Sequence, residues 1–336
     1  MKFEKVKTCT MDKTNTEIHK ESSQTNSIEE FYADSVILLT GATGFVGKGL
    51  LEKLLRVYPR IAAIFILLRP KRSQTIEERF KKLIDDLVFE FMKEKHGSSI
   101  FSKLQSVEGD ISLPNLGLSL VDRIVLIEKV NIVFHVAAAI TFKQPLDDAV
   151  NTNTKNTSRV IDLCKEMNKI ISYIHVSTAY SNAYLSEIEE KVYTTSWEPS
   201  AVIDICDKQD KNSIALLEES ILKIHPNTYT FTKNLAEQIV FSDSKSFPTA
   251  IVRPRIIGAS LEQPCPSWVD NVYGVTGAGL QIAKGIVNMF VTKKDTRLNL
   301  VPVDYVVDTI LCAAWHVTVH WEVEVYNCTS NADPVR

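Results

Sequence analysis

Two side chains one helical turn apart, Tyr229 and Lys233, give the first sign of chemistry in this sequence. They stand at i and i+4 in Thr228 to Phe241, a segment with helical spacing and Pro226 just upstream, so they share a face. A free phenol has a pKa of about 10, too high for efficient proton exchange at neutral pH. A neighbouring ammonium favours the phenolate and is expected to lower that value. The pair could then hand a proton to an oxygen as hydride arrives at the adjacent carbon. Y-x-x-x-K occurs by chance in many helices, so the pair needs a partner. His175-Val176-Ser177-Thr178-Ala179-Tyr180 supplies one, because a hydroxyl at a strand end could hold a carbonyl oxygen beside Tyr229. Strand alternation allows Thr178, the first choice, with Ser177 the close alternative. His175 reads as a packed strand residue rather than a base. Asn153 either orients a proton-relay water or is a helix-surface amide.

A second constellation lies far upstream. Thr40-Gly41-Ala42-Thr43-Gly44-Phe45-Val46-Gly47 sets three glycines between an apolar run, Val36 to Leu39, and a helical pattern, Phe45 to Val57. Glycine is needed where a chain turns sharply and where backbone must approach phosphate closely. The helix start then offers unpaired N–H groups and a positive dipole end. In this strand–turn–helix context the turn is expected to bind a dinucleotide pyrophosphate through Thr40, Gly41, Thr43, Gly44, Phe45, Val46 and Gly47; a chance glycine-rich turn is the alternative. The end of the second strand tells which dinucleotide. An acidic residue there would take the ribose hydroxyls of NAD, whereas this chain has Leu68-Arg69-Pro70-Lys71-Arg72. Arginine can grip a 2′-phosphate with paired hydrogen bonds, so NADPH is expected, with Arg69 as its main contact. A solvated loop charge is the alternative for Arg69, and more so for Lys71 and Arg72. Asp110, Ile111 and Ala137 fall where such a fold lines the adenine and ribose pocket, although an exposed loop position also accounts for Asp110. Lys233 joins this set, since its ammonium could also hydrogen-bond the nicotinamide ribose.

These residues need a scaffold, and the sequence alternates strand and helix. Ile61 to Leu68 reads as a strand buried on both faces, and Thr75 to Lys95 as a long amphipathic stretch. Further strands are expected at Leu104–Val107, Ile132–Val136, Ile171–Val176 and Thr249–Val252. This rhythm predicts an α/β fold with a doubly wound parallel sheet of Rossmann type. Residues 184–225 and 259–300 interrupt it and are expected to build the substrate pocket. Residues 1–30 read as a disordered polar tail ahead of one reductase domain over 31–330. Val301 to Val319 is expected to be a buried helix followed by a short turn.

Composition narrows the function. A 45% hydrophobic and 24% charged chain is ordinary for a soluble globular protein. A net charge of −3 gives no reason to expect a nucleic-acid partner. The six cysteines are scattered without a CxxC pair, so neither a metal nor a disulfide framework is expected, and a reduced intracellular setting fits. The first residues lack the apolar core of a signal peptide, and no run of about 18 apolar residues could span a membrane.

With both ends in place, the chain resembles the eukaryotic fatty acyl-CoA reductases, members of the extended short-chain dehydrogenase/reductases. The resemblance rests on Thr40–Lys48, Leu67–Lys71 with Ile76-Glu77-Glu78-Arg79, His135–Ala138, His175–Asn182 and Tyr229–Lys233. It rests also on Val252-Arg253-Pro254, Trp268–Gly274 and Pro302-Val303-Asp304, and runs from about Phe31 onward. It implies reduction of a long-chain acyl-CoA with NADPH, through an aldehyde, to a primary alcohol. Thr178 (or Ser177), Tyr229 and Lys233 would carry the chemistry. The resemblance further implies a site on the cytosolic face of the peroxisome or endoplasmic reticulum, with membrane contact by this chain only peripheral. Family members usually continue into a smaller helical C-terminal domain, so a chain ending at Arg336 is expected to be a fragment or short form. Arg255 stands where the family leads one to expect a small residue. The competing functions are another extended reductase or epimerase, acting on a nucleotide sugar or sterol, and a catalytically silent NADP-binding protein.

Overall fold

The computed structural model describes residues 27–71, 73–289, 298–320 and 322–330. The strands are β1 (Val36–Thr40), β2 (Ala63–Leu68), β3 (Leu104–Glu108), β4 (Ile132–His135), β5 (Ser172–Val176), β6 (Thr249–Pro254), β7 (Ile256–Gly258), β8 (Leu300–Pro302) and β9 (Glu324–Cys328). Seven of them form one parallel sheet in the order β3-β2-β1-β4-β5-β6-β9, while β7 and β8 pair with each other. The helices are α1 (Ile28–Tyr32), α2 (Phe45–Val57), α3 (Ile76–Ile84), α4 (Glu90–His96), α5 (Leu120–Lys129) and α6 (Leu146–Ala149). They continue with α7 (Asn156–Glu166), α8 (Pro199–Lys208), α9 (Lys211–Leu222), α10 (Thr228–Asp243), α11 (Gly274–Ala283) and α12 (Val303–His316).

The doubly wound α/β fold expected from the alternation is the one observed. Every residue of β4, β5 and β6 is buried, which is why these strands read as mainly apolar rather than alternating. One face of the sheet packs on α2, α3 and α12 through residues such as Leu50, Leu54, Val306 and Ile310. The other packs on α5, α7 and α10 through Leu126, Val160 and Val240. From β1 the chain winds outward to β2 and β3, then returns to place β4 on the opposite side of β1. That reversal opens a crevice at the carboxyl ends of β1 and β4, where ligands of open α/β sheets bind. The register Thr40↔His135↔His175 sets three polar residues in one row across β1, β4 and β5.

Four differences from the expectations have local causes. The tail expected over 1–30 lies outside the described residues as far as 26, but 27–30 belong to the fold. There the Ser27 hydroxyl accepts from Glu30 N at 3.2 Å to cap α1, which buries Phe31 and Tyr32. The long amphipathic stretch Thr75–Lys95 is divided between α3 and α4. It breaks after Ile84, where Asp86 turns its carboxylate to Val88 N and to the Lys48 ammonium. Within Ile61–Leu68, the strand starts only at Ala63. Finally, β9 was not foreseen; it adds an edge strand beside β6, with a mixed burial pattern that an apolar run does not announce.

The segments around 184–225 and 259–300 do leave the sheet. In the first, α8 and α9 close a small core with α6 and α10 around Val202, Leu217 and Phe231. In the second, the Asp304 carboxylate at the start of α12 accepts from the main-chain N–H groups of Leu261, Glu262 and Gln263 at 2.9–3.2 Å. Residues 290–297 of it lie outside the described residues, as does Arg72.

Candidate active site

The glycine turn leaves β1 at the crevice and starts α2. Gly41 has φ +77°, and a Cβ there would stand 2.7 Å from Ala137 N, so β4 admits only glycine beside β1. A Cβ on Gly47 would collide with the main chain of Gly41 and lie 2.8 Å from Ala42 Cα, so this glycine lets α2 pack onto the turn. Gly44 differs. Its φ of −90° suits any residue, and a Cβ would meet only Gly41 O, at an ordinary 3.4 Å. The protein's own packing therefore does not require glycine at 44; an approaching ligand would. Thr43 and Gly44 are exposed, and α2 has no side-chain cap, so the N–H groups of Phe45 and Val46 open its positive end. This cradle fits a pyrophosphate. Thr40 does not face it: its buried hydroxyl bonds His135 Nδ1 at 2.9 Å and accepts from Ala137 N at 3.3 Å.

Arg69 is exposed at the end of β2, and the guanidinium of Arg79 from α3 donates to its carbonyl. The Arg79 pKa lies below its ordinary value, first through burial and then through the positive charge of Arg69. Two cations thus share this corner; the sequence pointed to Arg69, and more weakly to Lys71 and Arg72, but gave Arg79 no cofactor role, because an offset of ten residues is no cue. The Asp110 carboxylate is partly committed, its Oδ1 accepting from Ser112 N at 2.9 Å and Ser112 Oγ at 2.7 Å. Ile111 O accepts from Arg159 Nη1 at 3.0 Å.

At the next strand ends, α10 brings Tyr229 to the turn that follows β5. The Thr178 hydroxyl caps that turn, accepting from Tyr180 N at 3.2 Å and donating to Pro254 O at 3.5 Å, and stands beside the phenol. Burial pushes the Tyr229 pKa up to about 12; the Thr178 hydroxyl opposes this and the charge of Glu237 adds to it. The expectation that Lys233 lowers this value fails here. Lys233, 2% exposed, donates to Val176 O at 2.9 Å and meets His175 Nε2 at 3.1 Å. A buried ammonium must spend its N–H groups on nearby acceptors, and β5 offers two. Burial still draws its own pKa down to about 8, against the pull of Glu237. His175 is a packed strand residue, as read from the sequence, and also the acceptor beneath Lys233.

Ser177, the close alternative to Thr178, points inward. Its Oγ donates to Glu237 Oε1 at 2.5 Å, away from the phenol. Asn153 is 2% exposed, so it is no surface amide. Its Oδ1 accepts from Ala139 N at 2.9 Å, and its Nδ2 donates to Ala139 O and to Thr232 Oγ1, both at 3.1 Å, fastening the loop after β4 to α10. Arg255 lies over the Tyr180 ring at 5.7 Å, beside the Thr178 turn. Phe142 flanks the phenol at 5.8 Å between ring centres, and with Ile140 it is largely exposed, which gives the site an apolar wall. Among the described residues, no group of three or more His, Cys, Asp or Glu could hold a metal, and no helix is long and apolar enough to cross a membrane.

A phosphate cradle at the β1–β4 crevice and a Tyr/Lys pair beside a strand-end hydroxyl define a nicotinamide-dinucleotide-binding protein of the extended short-chain dehydrogenase/reductase fold. The chain belongs to the family described as male sterility protein, NAD-binding, whose model matches residues 39–310. It is 37% identical over 308 residues to fatty acyl-CoA reductase 1 of Mus musculus, which covers 91% of this chain and 60% of that protein. Human fatty acyl-CoA reductase 2 is 36% identical over 312 residues, 92% of this chain and 60% of its own length. The chain thus spans about three fifths of the length of these relatives. Among solved structures, the terminal R domain of the myxalamid PKS-NRPS pathway superposes with a TM-score of 0.67 at 26% identity, over 90% of this chain and 67% of that one.

Proposed function

We propose that this chain reduces long-chain fatty acyl-CoA with NADPH, through an aldehyde, to a fatty alcohol. The observation that carries the proposal is the phenol of Tyr229, which keeps its proton at neutral pH, beside the Thr178 hydroxyl at the mouth of the dinucleotide crevice. The relatives named fatty acyl-CoA reductases supply the substrate class. When bound, the reduced nicotinamide supplies hydride. Gly44 and the first N–H groups of α2 hold the pyrophosphate, Arg69 and Arg79 hold the 2′-phosphate, and Lys233 holds the nicotinamide ribose. Thr178 holds the oxygen of the thioester or aldehyde. Tyr229 gives that oxygen its proton as negative charge builds on it, which a phenol with a pKa of about 12 can do and a phenolate cannot. Loss of coenzyme A as its thiol separates the two reductions. Phe142 and Ile140 line the approach of an apolar chain.

The test is NADPH oxidation by the purified chain with palmitoyl-CoA, the product identified by gas chromatography. Alcohol formation is expected, falling about 100-fold or more in Tyr229→Phe, the usual size of a lost general acid. Wild-type oxidation no faster than that variant, across several acyl lengths, would refute the proposal.

A further inference from the structure

The catalytic face of α10 carries one more charge. Tyr229, Lys233 and Glu237 follow at i, i+4 and i+8, and Glu237 is 0% exposed. A carboxylate withdrawn from water is costly unless it is paired and its lone pairs are filled. Here they are filled. Arg253 of β6, also 0% exposed, donates Nε to Oε1 at 3.0 Å and Nη2 to Oε2 at 2.6 Å. Ser177 Oγ and Ser181 Oγ donate to the same Oε1, at 2.5 and 2.9 Å. The guanidinium also donates to the main chain, from Nη1 to Glu189 O at 3.1 Å and from Nη2 to Lys191 O at 2.9 Å.

Replacing a buried ion pair by apolar side chains of similar volume is often neutral or stabilising, so stability alone is a poor account of this pair. What it joins is a better one. Ser177 and Ser181 stand on either side of Thr178, so a single carboxylate holds both flanks of the hydroxyl turn. Arg253 meanwhile draws in the carbonyls of residues 189 and 191, where the chain departs toward α8 and α9. Asn327 of β9 secures the same strap, donating Nδ2 to Ile188 O at 3.0 Å and N to Glu190 Oε1 at 2.8 Å.

We infer that Glu237 and Arg253 are positioning residues: Glu237 fixes Thr178 against Tyr229 through Ser177 and Ser181, and Arg253 couples that turn to the 188–191 strap. The first half rests on the role proposed for Thr178 and Tyr229; the second does not. The sequence placed Ser177 as a substitute for Thr178, whereas this arrangement gives it a different task.

Small variants test the first half. Ser177→Ala and Ser181→Ala are each expected to lower kcat for palmitoyl-CoA about tenfold while KM and NADPH affinity stay within about twofold, because a displaced hydroxyl loses alignment rather than binding. Wild-type kcat in Ser181→Ala would overturn this half, whatever Ser177→Ala does, since it would leave Ser177 acting directly. The second half is read by limited trypsin digestion, with fragments identified by mass. Cleavage after Lys191, whose carbonyl Arg253 holds, is expected to be at least fivefold faster in Arg253→Lys and in Glu237→Gln than in wild type. Wild-type cleavage in Arg253→Lys would overturn the coupling. Because digestion needs no turnover, a chain inactive on acyl-CoA would refute the proposed function and the first half together, leaving the strap to be decided by trypsin alone. Should Glu237→Gln not fold, Ser181→Ala and Arg253→Lys decide the two halves.

Discussion

At the residue level, the decisive facts concern protons. Burial holds the Lys233 pKa at about 8, below the ordinary 10.5, so the fold disfavours its charge. Between those values the unfolded chain binds more protons than the folded one, so the contribution of Lys233 to stability rises with pH from about 8 to about 10.5. The charge proposed to hold the ribose is lost from the folded chain as pH rises through about 8. NADPH affinity is therefore expected to fall as pH rises through about 8, with no matching fall in stability from this group. Titration of cofactor fluorescence between pH 7 and 10 would check this, and a flat profile would count against Lys233 as the ribose contact. At the 2′-phosphate corner, Arg69→Glu and Arg79→Glu should each weaken NADPH at least tenfold more than NADH, as expected for loss of a charge-assisted pair. Equal weakening of both cofactors would show that neither guanidinium reads the phosphate. The candidate site residues were mostly legible in the sequence: Tyr229, Lys233, Thr178 and the three glycines all lie at the crevice. Their supporting partners were not. Glu237 looks in a sequence like any other polar helix residue, and His135 and Arg253 stand out only as parts of family segments; only burial reveals that each must be paired.

At the level of elements, the turn between β1 and α2 separates two uses of glycine. Gly41 and Gly47 serve the packing of the protein, while Gly44 leaves room that packing does not use. Gly44→Ala is expected to keep the wild-type thermal midpoint within about 2 °C and to weaken NADPH at least tenfold, since the added methyl enters the phosphate cradle. Gly47→Ala is expected to unfold at markedly lower temperature, because its Cβ overlaps the main chain of Gly41 and α2 must shift. A Gly44→Ala protein with unaltered cofactor affinity would show that the pyrophosphate lies elsewhere. The sequence pattern showed three glycines of one kind. Distinguishing them required the positions of β4 and of the Gly41 carbonyl, which no spacing encodes. The same holds for β9, whose place beside β6 depends on a long excursion through residues 259–300.

For the whole molecule, the row Thr40, His135 and His175 runs across three strands beneath the crevice. Burial drives the His135 pKa down to about 3, aided by the charge of Lys233, and holds His175 well below its ordinary value for the same reasons. Both are neutral in the fold and take up protons when it opens. Below pH of about 6.5 the unfolded chain binds more protons, so stability is lost progressively as pH falls toward 3. His135→Asn is expected to flatten the acid limb of a urea-melting series between pH 7 and 5 relative to wild type; an unchanged slope would mean that His135 does not titrate on unfolding. The alternation of apolar strands and amphipathic helices was enough by itself to determine a doubly wound parallel sheet, because strands buried on both faces need helices on each side. The glycine turn and the Tyr/Lys spacing pointed, in the same way, to a glycine cradle and a phenol at one crevice. Only the tertiary structure decided which hydroxyl faces the phenol, which acceptors hold Lys233, and that Glu237 and Arg253 lie beneath them. The reason is physical: periodicity records which face of an element is buried, whereas the partner of a buried charge is set by where distant strands end.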